Sequence, residues 1–412
     1  MGIDLKMAWR NIWRNRRRSV LTILAIAFAC LLLVFMLSFQ FGSYADMIRF
    51  SLRIHTGHLQ IKAEGYQTDR DIRKVVSHPG VVAEILDKRP DVADYTFRSN
   101  AFSLFSSDQR TYGVMVTGID PVREARVTTI KQVIRQGEYL LPGDTNQTII
   151  GDLLAENLKI GLNDELVLLG QARDGSVAAS MLTVTGIFSS GESDMDRSLA
   201  MITLDTFDRL YFMRGAVHEV VAVCPELDDV KPVQVAVQKA LDGLDSRYPL
   251  RVWNWQELIP GLLQGIKIDF FSGVIFYLIM VIVVAFSILN TFLMAVFERT
   301  REFGVMLALG VTHGRLTRLL LLESSFLCIV GMATGVVAGT MVTLYFEQRG
   351  INISGAADIL KSYGLPEVLR PRLSWITLVS GPAVVFVVTF LTALYPALRA
   401  HRLKPAEAMR TA

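Results

Sequence analysis

A chain of 412 residues that is 51% hydrophobic, with a mean hydropathy of +0.37, is too apolar for an ordinary soluble protein. With 20% charged residues it cannot lie wholly in a bilayer either, so it reads as an α+β membrane protein with a few membrane helices and one sizeable water-exposed domain. The net charge of +3 hides an uneven distribution: residues 42–268 hold 30 acidic and 24 basic side chains, leaving 9 acidic and 18 basic elsewhere, mostly beside the hydrophobic runs.

No basic, aromatic-interleaved face suggests nucleic acid. Cys30 and Cys328 lie in hydrophobic runs and Cys224 stands alone, so there is neither a disulfide framework nor a C-x-x-C pair. The first 18 residues predict an amphipathic elbow on the inner leaflet. Leu5, Ala8, Trp9, Ile12 and Trp13 share one helix face, opposite Arg10, Arg14, Arg16, Arg17 and Arg18. The arginine cluster sets the N-terminus in the cytoplasm. A first span follows over 19–41; its apolar run passes Cys30 and continues to Phe41, which argues against a cleaved signal peptide.

Residues 42–268 then lie outside the cytoplasm. Short β-like runs at 57–61, 111–118, 148–151, 165–169, 182–188 and 219–224 alternate with helices at 152–158, 204–211 and 230–244. Phe97, Phe102, Leu104 and Phe105 make an apolar patch, either core or a contact surface for cargo or a soluble partner. His55 and His58 have only Glu64 as a third candidate ligand and read as surface histidines, so no metal is expected. Trp253 and Trp255 read as internal to the fold. No G-x-S-x-G elbow supports a catalytic serine, and no catalytic residue is expected.

A second span covers 269–297. The 28 uncharged residues between Asp269 and Glu298 make about 42 Å of helix against about 30 Å of hydrocarbon. The excess predicts a stalk above the membrane. The chain then enters the segment 298–318. Its first turn is charged (Glu298, Arg299, Arg301, Glu302), and Phe303, Met306, Leu307 and Gly310 follow at i, i+3, i+4 and i+7. Val305 and Leu309 widen the apolar face, which suits either a groove on another protein or the headgroup layer.

A third span, 319–346, carries Gly331, Gly335 and Gly339 four apart, a face for close helix packing against span two or four or against another subunit. Glu323, at its entry, is expected to face water or to pair with Arg315 or Arg318. Residues 347–372 return outside, a fourth span covers 373–398, and the tail 399–412 is cytoplasmic.

Glu298 to Gly310 resembles the cytoplasmic coupling helix of the MacB/FtsX family of ABC-transporter permeases. Tyr395-Pro396-Ala397-Leu398-Arg399-Ala400, followed by Leu403 to Arg410, resembles that family's closing P-A-x-x-A…P…E-A-x-R pattern. Residues 151–158 with 161–166 are similar to the central segment of its periplasmic core. The resemblance implies a multi-pass protein of the bacterial inner membrane with a two-lobed periplasmic domain. Its membrane-near lobe would be 45–98 with 200–265, and its inserted lobe 99–199. It also implies a cytoplasmic ABC ATPase dimer gripping Arg299 to Leu309, and a second permease. No G-x-x-x-x-G-K-[ST] loop occurs in the chain, so ATP would be bound by a partner chain and no cofactor by this one. Within the family the layout most resembles LolC/LolE-type lipoprotein-releasing permeases, which implies lipoprotein or lipid-linked cargo and a periplasmic carrier. An FtsX-like signalling role without cargo, or export of a small molecule or peptide with an outer-membrane partner, are the alternatives.

Overall fold

A computed structural model describes residues 2–243, 249–352 and 368–401. The predicted tail from Arg402, with Leu403 to Arg410 of the closing pattern, lies outside the described residues, as do 244 and the middle of the 347–372 connection. The chain forms two units. Residues 2–46, 265–352 and 368–401 make one, and 47–243 with 249–264 make the other.

In the first unit four helices are long and apolar enough to cross a membrane. They are Arg16–Ser51, Pro260–Glu298, His313–Arg349 and Trp375–His401. At 1.5 Å per residue each exceeds the roughly 30 Å of hydrocarbon, the second by nearly twofold. An elbow helix, Gly2–Arg14, precedes them. Of its predicted apolar face, Ala8 and Ile12 are buried. Leu5, Trp9 and Trp13 stay half exposed, with the Trp9 ring 5.8 Å edge-on from Phe326 of the third long helix.

The second unit is built on one ten-stranded sheet. Its strands are β1 (Leu59–Ala63), β2 (Asp94–Ser106), β3 (Thr111–Ile119), β4 (Ile134–Gly137), β5 (Gln147–Gly151), β6 (Glu165–Gln171), β7 (Val177–Phe188), β8 (Leu199–Thr203), β9 (Glu219–Val223) and β10 (Leu250–Asn254). They run in the order β10-β1-β9-β2-β3-β8-β5-β7-β4, with β6 pairing β2 and β7. The pairs β3–β8 and β5–β7 are parallel and the rest antiparallel. The helices Asp152–Leu158, Leu204–Tyr211 and Val230–Leu241 cover its faces.

Three hydrophobic clusters share this sheet: a small one around Ile119, Ile149, Phe188 and Met201, and two larger cores. One gathers Leu59, Ile61, Val220, Val233, Val237 and Trp255. The other gathers Phe105, Val114, Leu154, Leu182, Phe207 and Tyr211. The strand β2, 13 residues long, serves both, with Tyr95 in the first and Ala101 and Phe105 in the second. Ala200, Ile202, Phe207, Tyr211 and Met213 belong to the second core, although sequence assigned everything from 200 onward to the membrane-near lobe. The reason is pairing: β8 lies parallel to β3, so its inward side chains face the core of the inserted lobe.

The histidines read as surface residues are built in. His58 Nδ1 accepts the backbone N–H of Cys224 at 2.9 Å, and the carbonyl of His55 accepts from Arg98. Arg98 is fully buried and grips Glu124 with two bonds of 2.6 and 3.1 Å. Across the sheet Glu219 pairs with Lys62 at 3.1 Å. Burial would raise the Glu219 carboxyl, but Lys62 and Arg98 overcome it and hold the group at about 2. Trp255 is buried, and Trp253 lies under the Arg251 guanidinium, 4.0 Å from the ring centre.

His218, also fully buried, stacks on Tyr66 at 5.0 Å. Its Nδ1 accepts from the N–H of Asn100 at 2.9 Å, which leaves the proton on Nε2, 3.0 Å from the Ile72 carbonyl. Desolvation pushes its pKa down to about 4. As pH falls below about 6.5 the unfolded chain takes up this proton first, so the contribution is lost between 6.5 and 4. We expect His218 alone to account for about 2 kcal/mol of stability lost between pH 7 and 5 at one pKa unit per 1.36 kcal/mol. His55, pushed down to about 3 by burial and by Arg98, adds to the loss over the same window. Thermal unfolding followed by tryptophan fluorescence measures this, and His218→Gln should flatten the dependence while lowering stability at both pH values.

Candidate coupling site

The second long helix stops at Glu298, where Arg299 leaves helical backbone (φ −103°), and a short helix, Thr300–Ala308, starts at once. It ends in a Schellman turn: the N–H of Val311 reaches the carbonyl of Met306 at 3.0 Å, and that of Gly310 reaches Leu307 at 3.1 Å. Gly310 has φ +94°, which a side chain would strain. Sequence placed Gly310 on the apolar face of the helix; it is instead the residue that terminates it.

The rest of the predicted face turns inward. Phe303 is fully buried and Leu307 nearly so, packed with Val296, Leu316, Leu320 and Ala397. Ala397 belongs to the closing pattern, so the two motifs that carried the resemblance meet in one small core. Met306 is partly buried against the same cluster. The side left open presents Arg301, Val305, Ala308 and Leu309, the last 80% exposed. The stripe i, i+3, i+4 was real, but periodicity does not say which partner a stripe buries against.

The charged turn is likewise tied into its own chain. Arg299 reaches Glu323 of the third long helix at 3.1 Å and Glu302 at 3.3 Å. Glu302 also pairs with Arg14 of the elbow helix, and Arg18 with Glu298 at 3.3 Å. The Arg14 guanidinium, helped by Arg299, holds the Glu302 carboxyl below its usual range. Glu323 therefore pairs with Arg299, not with Arg315 or Arg318, and Arg315 instead binds Asp4 at 2.8 Å. Sequence reasoning saw Arg14 and Arg18 only as a topology signal. The matching count of acidic residues at 298, 302 and 323 was the available hint.

Gly331, Gly335 and Gly339 pack against the first long helix rather than the second or fourth. A Cβ on Gly335 would sit 2.7 Å from that of Cys30, and one on Gly331 would meet Ile26 at 2.8 Å. Gly339 approaches Leu31 and Val34. In the sheet unit the apolar patch divides by strand alternation: Phe105 is buried and Phe97 packs beside the membrane-near core, whereas Phe102 and Leu104 point out. Leu104 lies opposite Leu169, and Val167 opposite Met181, giving an exposed apolar face across β2, β6 and β7. Among the described residues no cluster of side chains fits a metal.

Comparison with known families finds two matches. A model described as the MacB-like periplasmic core domain matches residues 19–240, and one described as the FtsX-like permease C-terminal matches residues 274–405. The chain is 24% identical over 417 residues to the lipoprotein-releasing system transmembrane protein LolC of Neisseria meningitidis serogroup B, covering 96% of this chain and 95% of that one. It is 26% identical over 317 residues to the LolC of Xylella fastidiosa, covering 73% and 74%. It is 23% identical over 444 residues to the macrolide export ATP-binding/permease protein MacB of Rhodospirillum rubrum, covering 99% of this chain and 60% of that one.

Burial separates two kinds of residue on the short helix. Phe303→Ala should cost about 3–5 kcal/mol through the cavity it leaves. Leu309→Ala should stay within about 0.5 kcal/mol. Thermal unfolding of the two variants in detergent, against the parent, measures the difference.

Proposed function

The chain belongs to the family of ABC-transporter permeases with a MacB-like periplasmic core and an FtsX-like C-terminal part, and from that premise we propose that it releases a lipid-anchored protein from the outer leaflet of the bacterial inner membrane. A cytoplasmic ATPase, on a separate chain, supplies the energy. The assembly contains two permeases to match an ATPase dimer.

One observation carries the cargo reading. A cavity of about 430 Å³ opens between the first, second and fourth long helices, lined by Leu37, Phe41, Val274, Leu278, Val281 and Val384 among others. It is almost wholly apolar and falls in the range of built ligand sites. From Phe270 to Val281 it runs about 16 Å along the helix, close to the depth of one leaflet. Polar groups stand at its mouth. Tyr44 donates to Asp269 at 2.6 Å, and Tyr277, itself in the lining, donates to Gln40 at 2.9 Å. An apolar cleft under a polar rim suits acyl chains with an amide-bearing head. A triacylated anchor carries on the order of 40 methylenes at about 0.8 kcal/mol each, about 30 kcal/mol in all, too much to expose to water in one step. Sheltering the chains removes that barrier. The exposed face at Phe102 and Leu104 suits a soluble carrier that takes the chains over.

The ATPase contact is assigned to Arg301, Val305 and Leu309, the open side of the short helix. Cleft and contact are separable by experiment. Val274→Trp should fill the cleft and abolish release of a radiolabelled lipoprotein from spheroplasts, while ATPase co-purification persists. Arg301→Glu with Leu309→Asp should lose the ATPase while leaving the chain in the membrane. Full release by Val274→Trp would overturn the cargo reading, and normal ATPase recovery in the double variant would overturn the contact.

A further inference from the structure

A second cavity of the membrane unit, about 340 Å³, lies where the elbow helix meets the end of the second long helix, the short helix and the start of the third. Its wall carries both signs of charge. Arg14, Arg18 and Arg299 stand among Glu298, Glu302 and Glu323, and Phe292 and Leu327 form an apolar side. We propose that this cavity binds the head group of an inner-leaflet phospholipid that carries both a phosphate and a primary ammonium.

Position is the first argument. The cavity sits at the inner ends of three membrane helices, and the elbow helix that supplies Asn11, Arg14 and Asn15 to it also carries Trp9 and Trp13, whose half-exposed rings mark the level of the headgroups. Charge is the second. Three guanidiniums face three carboxylates, so a simple anion would gain the arginines and meet the carboxylates unrelieved. A zwitterion satisfies both. Arginine presents a planar fork that matches phosphate oxygens, and a primary ammonium offers three donors to carboxylates, where a quaternary one offers none.

The third argument is spare bonding capacity. The Arg18–Glu298 and Arg299–Glu302 contacts are long, at 3.3 Å, and Arg14 and Glu302 are well exposed. The side-chain amides of Asn11 and Asn15, both in the lining, have no hydrogen-bond partner among the described residues. A bound phosphate can take Arg18 and these amides without dismantling the mostly buried Arg299–Glu323 pair at 3.1 Å or the closest pair of the set, Arg14–Glu302. Such a lipid would bridge the elbow helix to the short helix, so its presence would bear on the coupling site without touching the cleft of the outer leaflet.

The test is lipid retention by the full-length chain. Purified protein is exchanged into nanodiscs with equal fractions of phosphatidylethanolamine, phosphatidylcholine and phosphatidylglycerol, then released for native mass spectrometry. Phosphatidylethanolamine should be retained about tenfold over phosphatidylcholine, the effect of one charge-assisted hydrogen bond. Arg18→Gln and the milder Asn11→Ala should each reduce that preference. Soluble phosphoethanolamine displacing the lipid would assign recognition to the head group alone; failure to displace it, with the preference intact, would add the acyl chains to the site. Equal retention of all three lipids, preference for phosphatidylglycerol, or an unchanged preference in both variants would overturn the proposal.

Discussion

The hydrocarbon interior accepts no unpaired charge, and that constraint sorts the polar side chains of the membrane unit into two layers. The inner layer holds Arg14, Arg18, Glu298, Arg299, Glu302, Glu323, Asp4 and Arg315, paired with one another. The outer layer holds Gln40, Tyr44, Asp269 and Tyr277, with Arg372 on Asp46 at 2.6 Å. Along the second long helix the layers are about 44 Å apart, and along the first about 39 Å, close to a bilayer with its headgroups. Between them, hydroxyls bond the backbone of their own helix: Thr291 to Ser287, Ser324 to Leu320, Thr343 to Gly339, Thr392 to Val388. These four hydroxyls cost little there because each finds its acceptor one turn back, whereas Ser38 donates to Thr377 of the fourth long helix.

The inner layer does more than satisfy charges. Arg299 stands at the break between two helices and is bound to a third through Glu323, with both side chains mostly buried. Removing either partner would strand the other charge in a poorly solvated place. Glu302 extends the same set to the elbow helix. Below these pairs, Phe303 and Leu307 close a core with Leu316 and Ala397. The short helix is thus fixed on one side by charge and packing, and offers the other side. A push on Leu309 acts on the whole inner end of the bundle rather than on a loose loop.

Much of this architecture was legible in the sequence because it rests on length and composition. Four apolar runs, an arginine cluster and a long intervening segment are one-dimensional signals. The helices 152–158 and 204–211 coincide with the observed ones because their apolar spacing is strong. What sequence did not show were choices of partner. Phe303 and Leu307 have the right spacing for a docking helix and use it on their own chain. Gly331, Gly335 and Gly339 read as a small-residue face, yet nothing in their spacing names Ile26 and Cys30 as what they approach. Likewise β2 was invisible as a strand: Arg98 and the polar residues around it break the alternation, because Arg98 is buried through Glu124, a partner 26 positions away. The lobe boundary was misplaced for the same reason, since β8 takes its side from β3, more than 80 residues upstream.

The order of strands has a consequence for synthesis. β1 is paired on one edge by β9 and on the other by β10, with Leu59 opposite Ala222 and Asn254. The second partner is 195 residues downstream. At elongation rates of about 5–20 residues per second, β1 emerges about 10–40 s before that edge can close. Until β9 is made, a strand whose every residue ends up buried has both backbone edges open, and one edge stays open until β10 follows, the template on which chains mispair. Its closing partner leaves the ribosome only just ahead of the second long helix, which begins at Pro260. The sheet therefore becomes complete at nearly the moment its second membrane anchor is made, and until then the nascent segment must be kept apart from others like it.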